Sequence, residues 1–240
     1  MRFLFSHSLS RTLDALSAAF FFRQEIPADQ ARRAAAFIAS RYALPTAYAG
    51  TFALFPAECR AGIHLFTGEL ATNASARHIA AQEACRVLLR LQPRPAAIRA
   101  TLRAAGLALL QRVGPAAPRG PKPDDGQLHW NWPYRGGTYC CGPCTVAFWR
   151  HLLAGGYDQH AARLARGLAC LRTMRKGDHT WRAFPFWYTL SALVEMPPTK
   201  AARDEMRYAA PRCQGAAARR PAEPFAARRA ELARRVLARV

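Results

Sequence analysis

Apolar side chains recur at three- and four-residue spacings along most of the chain, the period of a helix with one buried face. Leu9, Leu13, Leu16 and Phe20 set that pattern over residues 8–22. Pro27 stands at the next helix start, and an Ala/Arg-rich stretch over 28–42 runs on until Pro45 stops it. Residues 46–74 break the period. Gly50, Pro56, Gly62 and Gly68 interrupt it, and Phe52, Leu54, Ile63, Leu65 and Phe66 suggest short extended pieces. Asn73–Ser75 then offer capping side chains to a helix over 76–91, followed after Pro93 and Pro95 by another over 96–113.

The second half repeats this alternation. Helices are expected over 143–153, 158–174, 185–195, 200–210 and 224–240, with Thr199 capping the fourth and Pro211 ending it. Pro143 and Pro185 open aromatic-rich helices 42 residues apart, a spacing typical of helical-repeat proteins. Between the halves, residues 114–138 hold five prolines and read as a linker, although Trp130, Trp132 and Tyr134 suggest that its end folds back. The expected architecture is all-α: stacked helical hairpins forming a partial α/α toroid or solenoid, with an irregular segment at 46–74. The expected parts are 1–113, the linker 114–138, and 139–240.

Composition narrows the class. A hydrophobic fraction of 51% over 240 residues supports a real core and excludes a disordered chain. The balance of 35 Lys+Arg against 15 Asp+Glu gives a net charge of +20, which would suit a nucleic acid or an anionic membrane surface. Only three of the basic residues are lysines, and the arginines are dispersed among 50 alanines, so base composition of the gene explains much of the charge. Nucleic-acid binding through the Arg-rich surface stays an alternative. No apolar stretch approaches the ~20 residues of a membrane span, and the N-terminus does not read as a cleaved leader. The seven cysteines are odd in number and read as reduced thiols, which points to the cytoplasm.

Residues able to carry chemistry are concentrated between 130 and 188. Cys140, Cys141 and Cys144 stand at a helix mouth opened by Gly142-Pro143, where unpaired backbone N–H groups favour a thiolate. Cys141 is a candidate nucleophile, with His179 or His151 as base and Asp178 as orienter. Papain-like peptidases also place a cysteine at a helix start, and Cys141-Gly142-Pro143 is similar. The same cysteines suit zinc, with Cys140 and Cys144 one turn apart and further ligands drawn from His179, Cys170 or Cys213. Cys141-x-x-Cys144 has the spacing of a redox pair, although the βαβ unit of a thioredoxin-like site is not visible. The aromatics around Trp149, Trp181, Phe186 and Tyr188 either form core or line an apolar cavity. In the second case Arg150 and Arg182 would hold an anionic head group.

Two stretches carry a family resemblance. Gly167–Leu193 reads GLACLRTMRKGDHTWRAFPFWYTLSAL, and Gly136–Trp149 reads GGTYCCGPCTVAFW. The first resembles the repeat of the terpenoid cyclase and protein prenyltransferase superfamily, the squalene-cyclase-like α/α toroids. The second is similar to the Gly-Gly-Tyr-x-x-Cys-Gly inner-helix start of prenyltransferase β subunits. The resemblance covers about 60 residues and implies a helical protein binding a hydrophobic, isoprenoid-like ligand, with or without cyclase activity.

Overall fold

A computed structural model describes residues 2–116, 136–155, 157, 159–218 and 223–240. Its helices are α1 (Leu9–Phe22), α2 (Ala28–Ser40), α3 (Pro56–Ala61), α4 (Asn73–Leu91), α5 (Ala96–Val113), α6 (Gly142–Gly155), α7 (His160–Thr173), α8 (Phe186–Glu195), α9 (Lys200–Ala217) and α10 (Pro224–Leu237). Among the described residues, regular strands are limited to β1 (Ile63–His64) and β2 (Leu70–Ala71), paired antiparallel. The fold is all-α, and the irregular segment expected at 46–74 holds only a single 3-10 turn, α3 and this strand pair. The chain divides into two compact units, Met1–Arg112 with Arg150–Gly155, and Val113–Trp149 with Gly156–Val240. Trp130, Trp132 and Tyr134, on which a folded-back linker was expected, and Asp158, the expected start of a helix, lie outside the described residues.

In the first unit α4 is the central helix. Every residue from Ile79 to Leu88 is buried, and α1, α2 and α3 pack against it. Ala80, Ala81 and Ala84 keep the neighbouring backbones close, and a helix covered on all sides must pair its polar residues internally. The N-terminus of α1 is held from α3. Ser8 caps it by accepting from the Arg11 N–H at 3.1 Å. The Glu58 carboxylate accepts from Ser8 Oγ at 2.7 Å, Ser10 N at 2.8 Å, Ser10 Oγ at 2.6 Å and Phe55 N at 2.9 Å. A buried carboxylate so supplied with donors near a helix N-terminus locks two elements together.

In the second unit α8 takes the central place. Tyr188–Val194 are buried, α9 and α10 pack on α8, and α9 also packs on α7 and α10. The turn between α7 and α8 is tied to α9 through Glu205. Its carboxylate accepts from Trp181 Nε1 at 2.9 Å and from Arg175 Nε and Nη2 at 3.1 and 2.8 Å.

Two local expectations are overturned. The Asn73–Ser75 side chains do not cap α4. Thr72 occupies the cap without a side-chain bond, and Ser75 Oγ donates back to the Thr72 carbonyl at 2.6 Å. Nor does Pro211 end α9, which continues to Ala217. A proline inside a helix forfeits one backbone bond and costs about 3 kcal/mol. Here Ala209 and Cys213, both fully buried on either side of the exposed Pro211, hold the helix on its course. Helix starts recur at similar intervals: α6 and α8 begin 44 residues apart, α7 and α9 begin 40 apart.

Candidate functional site

The segment from Gly136 to Cys144 is built into the second unit by close backbone contacts. A Cβ on Gly137 would stand 2.5 Å from both the Arg163 carbonyl and the Gly167 nitrogen of α7. A Cβ on Gly142 would collide with the Ala183 carbonyl. Only glycine allows such approach. Trp149 Nε1 donates to the Gly137 carbonyl at 2.7 Å, and Arg163, itself buried, donates to the Gly136 carbonyl at 3.0 Å. Thr145 Oγ1 accepts from Tyr139 N at 2.9 Å and donates to Tyr139 O at 3.1 Å. The double glycine and the Trp149 ring therefore fix the backbone that carries three cysteines.

Cys141 immediately precedes α6. Its carbonyl accepts the first helical bond from Thr145 N at 2.8 Å, which makes Cys141 the N-cap. Cys140 and Cys141 are half-buried and Cys144 is fully buried. The Sγ atoms of Cys140 and Cys144 lie within 4.8 Å of each other. Two zinc–sulfur bonds of about 2.3 Å in a tetrahedron place their sulfurs roughly 3.7 Å apart, so the pair is at metal-binding separation. The Cys140 thiol is pushed up to about 12, first by the Cys141 thiol and then by burial, with the Cys144 thiol acting in the opposite direction. The Cys144 thiol is raised well above its usual range by the thiols of Cys140 and Cys141 and by burial. A bound cation favours the ionised form of both thiols and so opposes these upward shifts.

The hydrogen bonds of His179 and Asp178 run to their own turn and to α9. His179 is exposed, and its Nδ1 donates to the Tyr208 carbonyl at 3.1 Å while its ring lies against Tyr208. Asp178 is exposed and accepts from Thr180 Oγ1 at 2.5 Å and from Lys176 Nζ at 3.4 Å. The Thr180 hydroxyl, aided by Lys176, holds the Asp178 carboxyl below its ordinary range. The turn is thus closed on itself and on α9. Among the described residues, His179, Cys170 and Cys213 do not join Cys140 and Cys144 at ligand distance. Burial pushes Cys170 up to about 12 and Cys213 up to about 11, as expected of thiols packed in a core.

The aromatic candidates are packing residues. Trp149, Trp181 and Tyr188 are almost wholly buried, Trp149 stacks on Phe184, and Trp181 stacks on the half-buried Phe186 at 5.8 Å. Arg182 is exposed, whereas Arg150 is buried in the first unit and donates to Glu83 Oε1 at 2.6 Å. Glu83 also receives Arg86 Nη1 at 3.4 Å, and Arg86 donates to Ser17 Oγ at 3.2 Å. His151 Nδ1 bonds Gln82 Oε1 at 2.6 Å, and burial drives its pKa down to about 3. His151 is therefore a neutral core histidine at ordinary pH. Neither Glu58 nor Gln82 was singled out from sequence. The one signal for Gln82 was its place on the apolar face of α4.

No family model, curated protein or solved structure matches the chain. No helix among the described residues is long and apolar enough to cross a membrane. The charge is also not confined to one part: the first unit holds 15 basic and 6 acidic residues, the second 20 and 9.

Proposed function

We propose that the chain is a thiolate–metal protein in which Cys140 and Cys144 hold a zinc-type ion at the start of α6. The observation that carries this reading is the pair of sulfurs within 4.8 Å on a turn fixed by glycine contacts. Thiols raised in this way are poor nucleophiles on their own, but a divalent cation converts them to thiolates and binds them strongly. Two cysteine ligands leave two tetrahedral positions for a histidine nitrogen, a water or a substrate atom, the layout of a Lewis-acid site rather than a closed structural one. The scaffold is read as cyclase- and prenyltransferase-like, a reading supported by helix pairs that begin 44 and 40 residues apart.

Metal content tests this. The purified chain is expected to retain about one zinc ion, and Cys140→Ser or Cys144→Ser to weaken zinc affinity on the order of 100-fold in a chromophoric-chelator competition. Alanine variants of His78 (a half-buried ring on α4), His151 and His179 then identify any nitrogen ligand. A chain that binds no zinc at micromolar concentrations, or one whose affinity ignores both cysteine variants, overturns the proposal.

A further inference from the structure

We propose that the turn between α7 and α8, with the side of α9 it rests on, is a binding surface for single-stranded nucleic acid. Bases stack against its rings and its arginines meet the phosphates. The surface lies within the second unit and is independent of the metal reading.

The rings form a connected row. His179 lies 5.6 Å from Tyr208, Tyr208 lies 5.9 Å from Trp181, Trp181 stacks on Phe186 at 5.8 Å, and Phe186 meets Trp187 edge-on at 4.9 Å. Exposure divides their roles. Trp181 is buried and anchors the row by donating to the Glu205 carboxylate at 2.9 Å. Phe186, Trp187 and Tyr208 are half-buried and His179 is exposed, so these four residues keep surface open to a partner. The row is fixed before any partner arrives. Arg175, held by Glu205, lies over the Tyr208 ring at 4.5 Å. The Tyr208 hydroxyl donates to the Lys176 and Thr180 carbonyls, and His179 is tied to the Tyr208 carbonyl. Rings already ordered lose little freedom on binding.

Cations accompany the row. The Arg212 guanidinium lies 5.5 Å from the Phe186 ring centre while its side chain stays 50% exposed. A planar guanidinium so placed stacks on a ring and still offers N–H donors to a phosphate. Arg182, next to Trp181 in the chain, is exposed, as are Lys176 and Arg207. Lys176 and Arg212 approach Asp178 at 3.4 and 3.8 Å, and Arg207 approaches Asp204 at 3.2 Å. Exposed pairs of this kind are weak, and phosphate oxygens compete for the same donors. Residues 172–212 hold eight Lys and Arg against four Asp and Glu, and Glu205 is committed to Arg175 and Trp181.

Rings and cations together select the partner. Duplex DNA is held through its backbone and read in its grooves, which needs no row of rings. Half-exposed rings interleaved with arginines suit bases outside a duplex. A lipid surface calls for projecting apolar side chains, and the exposed large hydrophobics Phe22, Leu44, Leu70, Leu107 and Val240 all lie elsewhere in the chain. The C-terminal arginines are less suited to the role, since Arg234 and Arg235 are both paired with Glu231.

The full chain is titrated into fluorescein-labelled oligo-dT and oligo-U of about 12 nucleotides, read by fluorescence anisotropy. Micromolar or tighter binding is expected for at least one of them, and the tighter one shows whether the strand is DNA or RNA. Trp187→Ala should weaken binding about tenfold and leave its salt dependence unchanged, as loss of a stacked base requires. Arg212→Ala should weaken binding and flatten the slope of log affinity against log salt by about 0.7, the share of one phosphate on a single strand. Arg32→Ala, at an exposed cation of the first unit, should change affinity by less than about twofold. Circular dichroism checks that the variants are folded, and Arg182→Ala, at an exposed residue, repeats the test where Trp187→Ala does not fold. Four results overturn the surface: no binding, equal affinity for inorganic polyphosphate of matched charge, tighter binding of duplex DNA, or unchanged affinity in the folded Trp187, Arg182 and Arg212 variants.

Discussion

The two units each bury a cluster of polar side chains, and the clusters are opposite in kind. In the first, Glu83 lies between the guanidinium groups of Arg86 and Arg150, and a neutral His151 meets Gln82. Opposite charges meet there and most polar atoms are paired, although the buried Gln82 Nε2 has no hydrogen-bond partner among the described residues. In the second, the Cys140 and Cys144 thiols are both raised, with the Cys141 thiol contributing to each. A complementary cluster serves stability. In the reading proposed above, a cluster of thiols on a backbone this tightly fixed serves a cation.

If the contrast holds, breaking the first cluster damages the fold and breaking the second damages only its chemistry. Glu83→Gln removes the carboxylate shared by two buried arginines and should cost about 3–5 kcal/mol in urea denaturation; a loss under about 1 kcal/mol would erase the contrast. His151 comes next. Its pKa is about 3 folded against an ordinary 6.5, so the stability it confers is complete above pH 6.5 and drains away as pH falls toward 3. Between pH 7 and 4.5 the loss should be about 2–3 kcal/mol, and His151→Gln should flatten that part of the profile. The smallest effect belongs to the exposed turn. His179→Ala should leave the alkylation rate of Cys141 within about twofold of the parent and stability within about 1 kcal/mol, since only the bond to the Tyr208 carbonyl is lost. A large drop in alkylation would restore the pairing that the sequence suggested.

Much of the secondary structure was legible. Residues 8–22 and 96–113 were bounded almost to the residue because Ser8, Pro93 and Pro95 act locally. The failures occurred where burial outweighed a local signal, as at Pro211, whose neighbours Ala209 and Cys213 are locked in the core. In the site, the three cysteines and the helix start that follows them were legible as a five-residue pattern. The placement of His179 was not, because φ +63 at that residue and the carbonyl of Tyr208, 29 positions away, set its ring. Arg150, read as a ligand contact, is a core residue for a similar reason: nothing along the chain announces Glu83, 67 positions earlier.

By itself the sequence determined the all-α class, the spacing of successive helices and the crowding of thiols at one helix mouth, since periodicity, proline placement and short spacings are local quantities. Only the tertiary structure decided which polar residues are core and which remain available. Burial and hydrogen bonding are set by residues brought together from distant positions, and that is why the +20 of the composition proved less informative than two sulfurs within 4.8 Å.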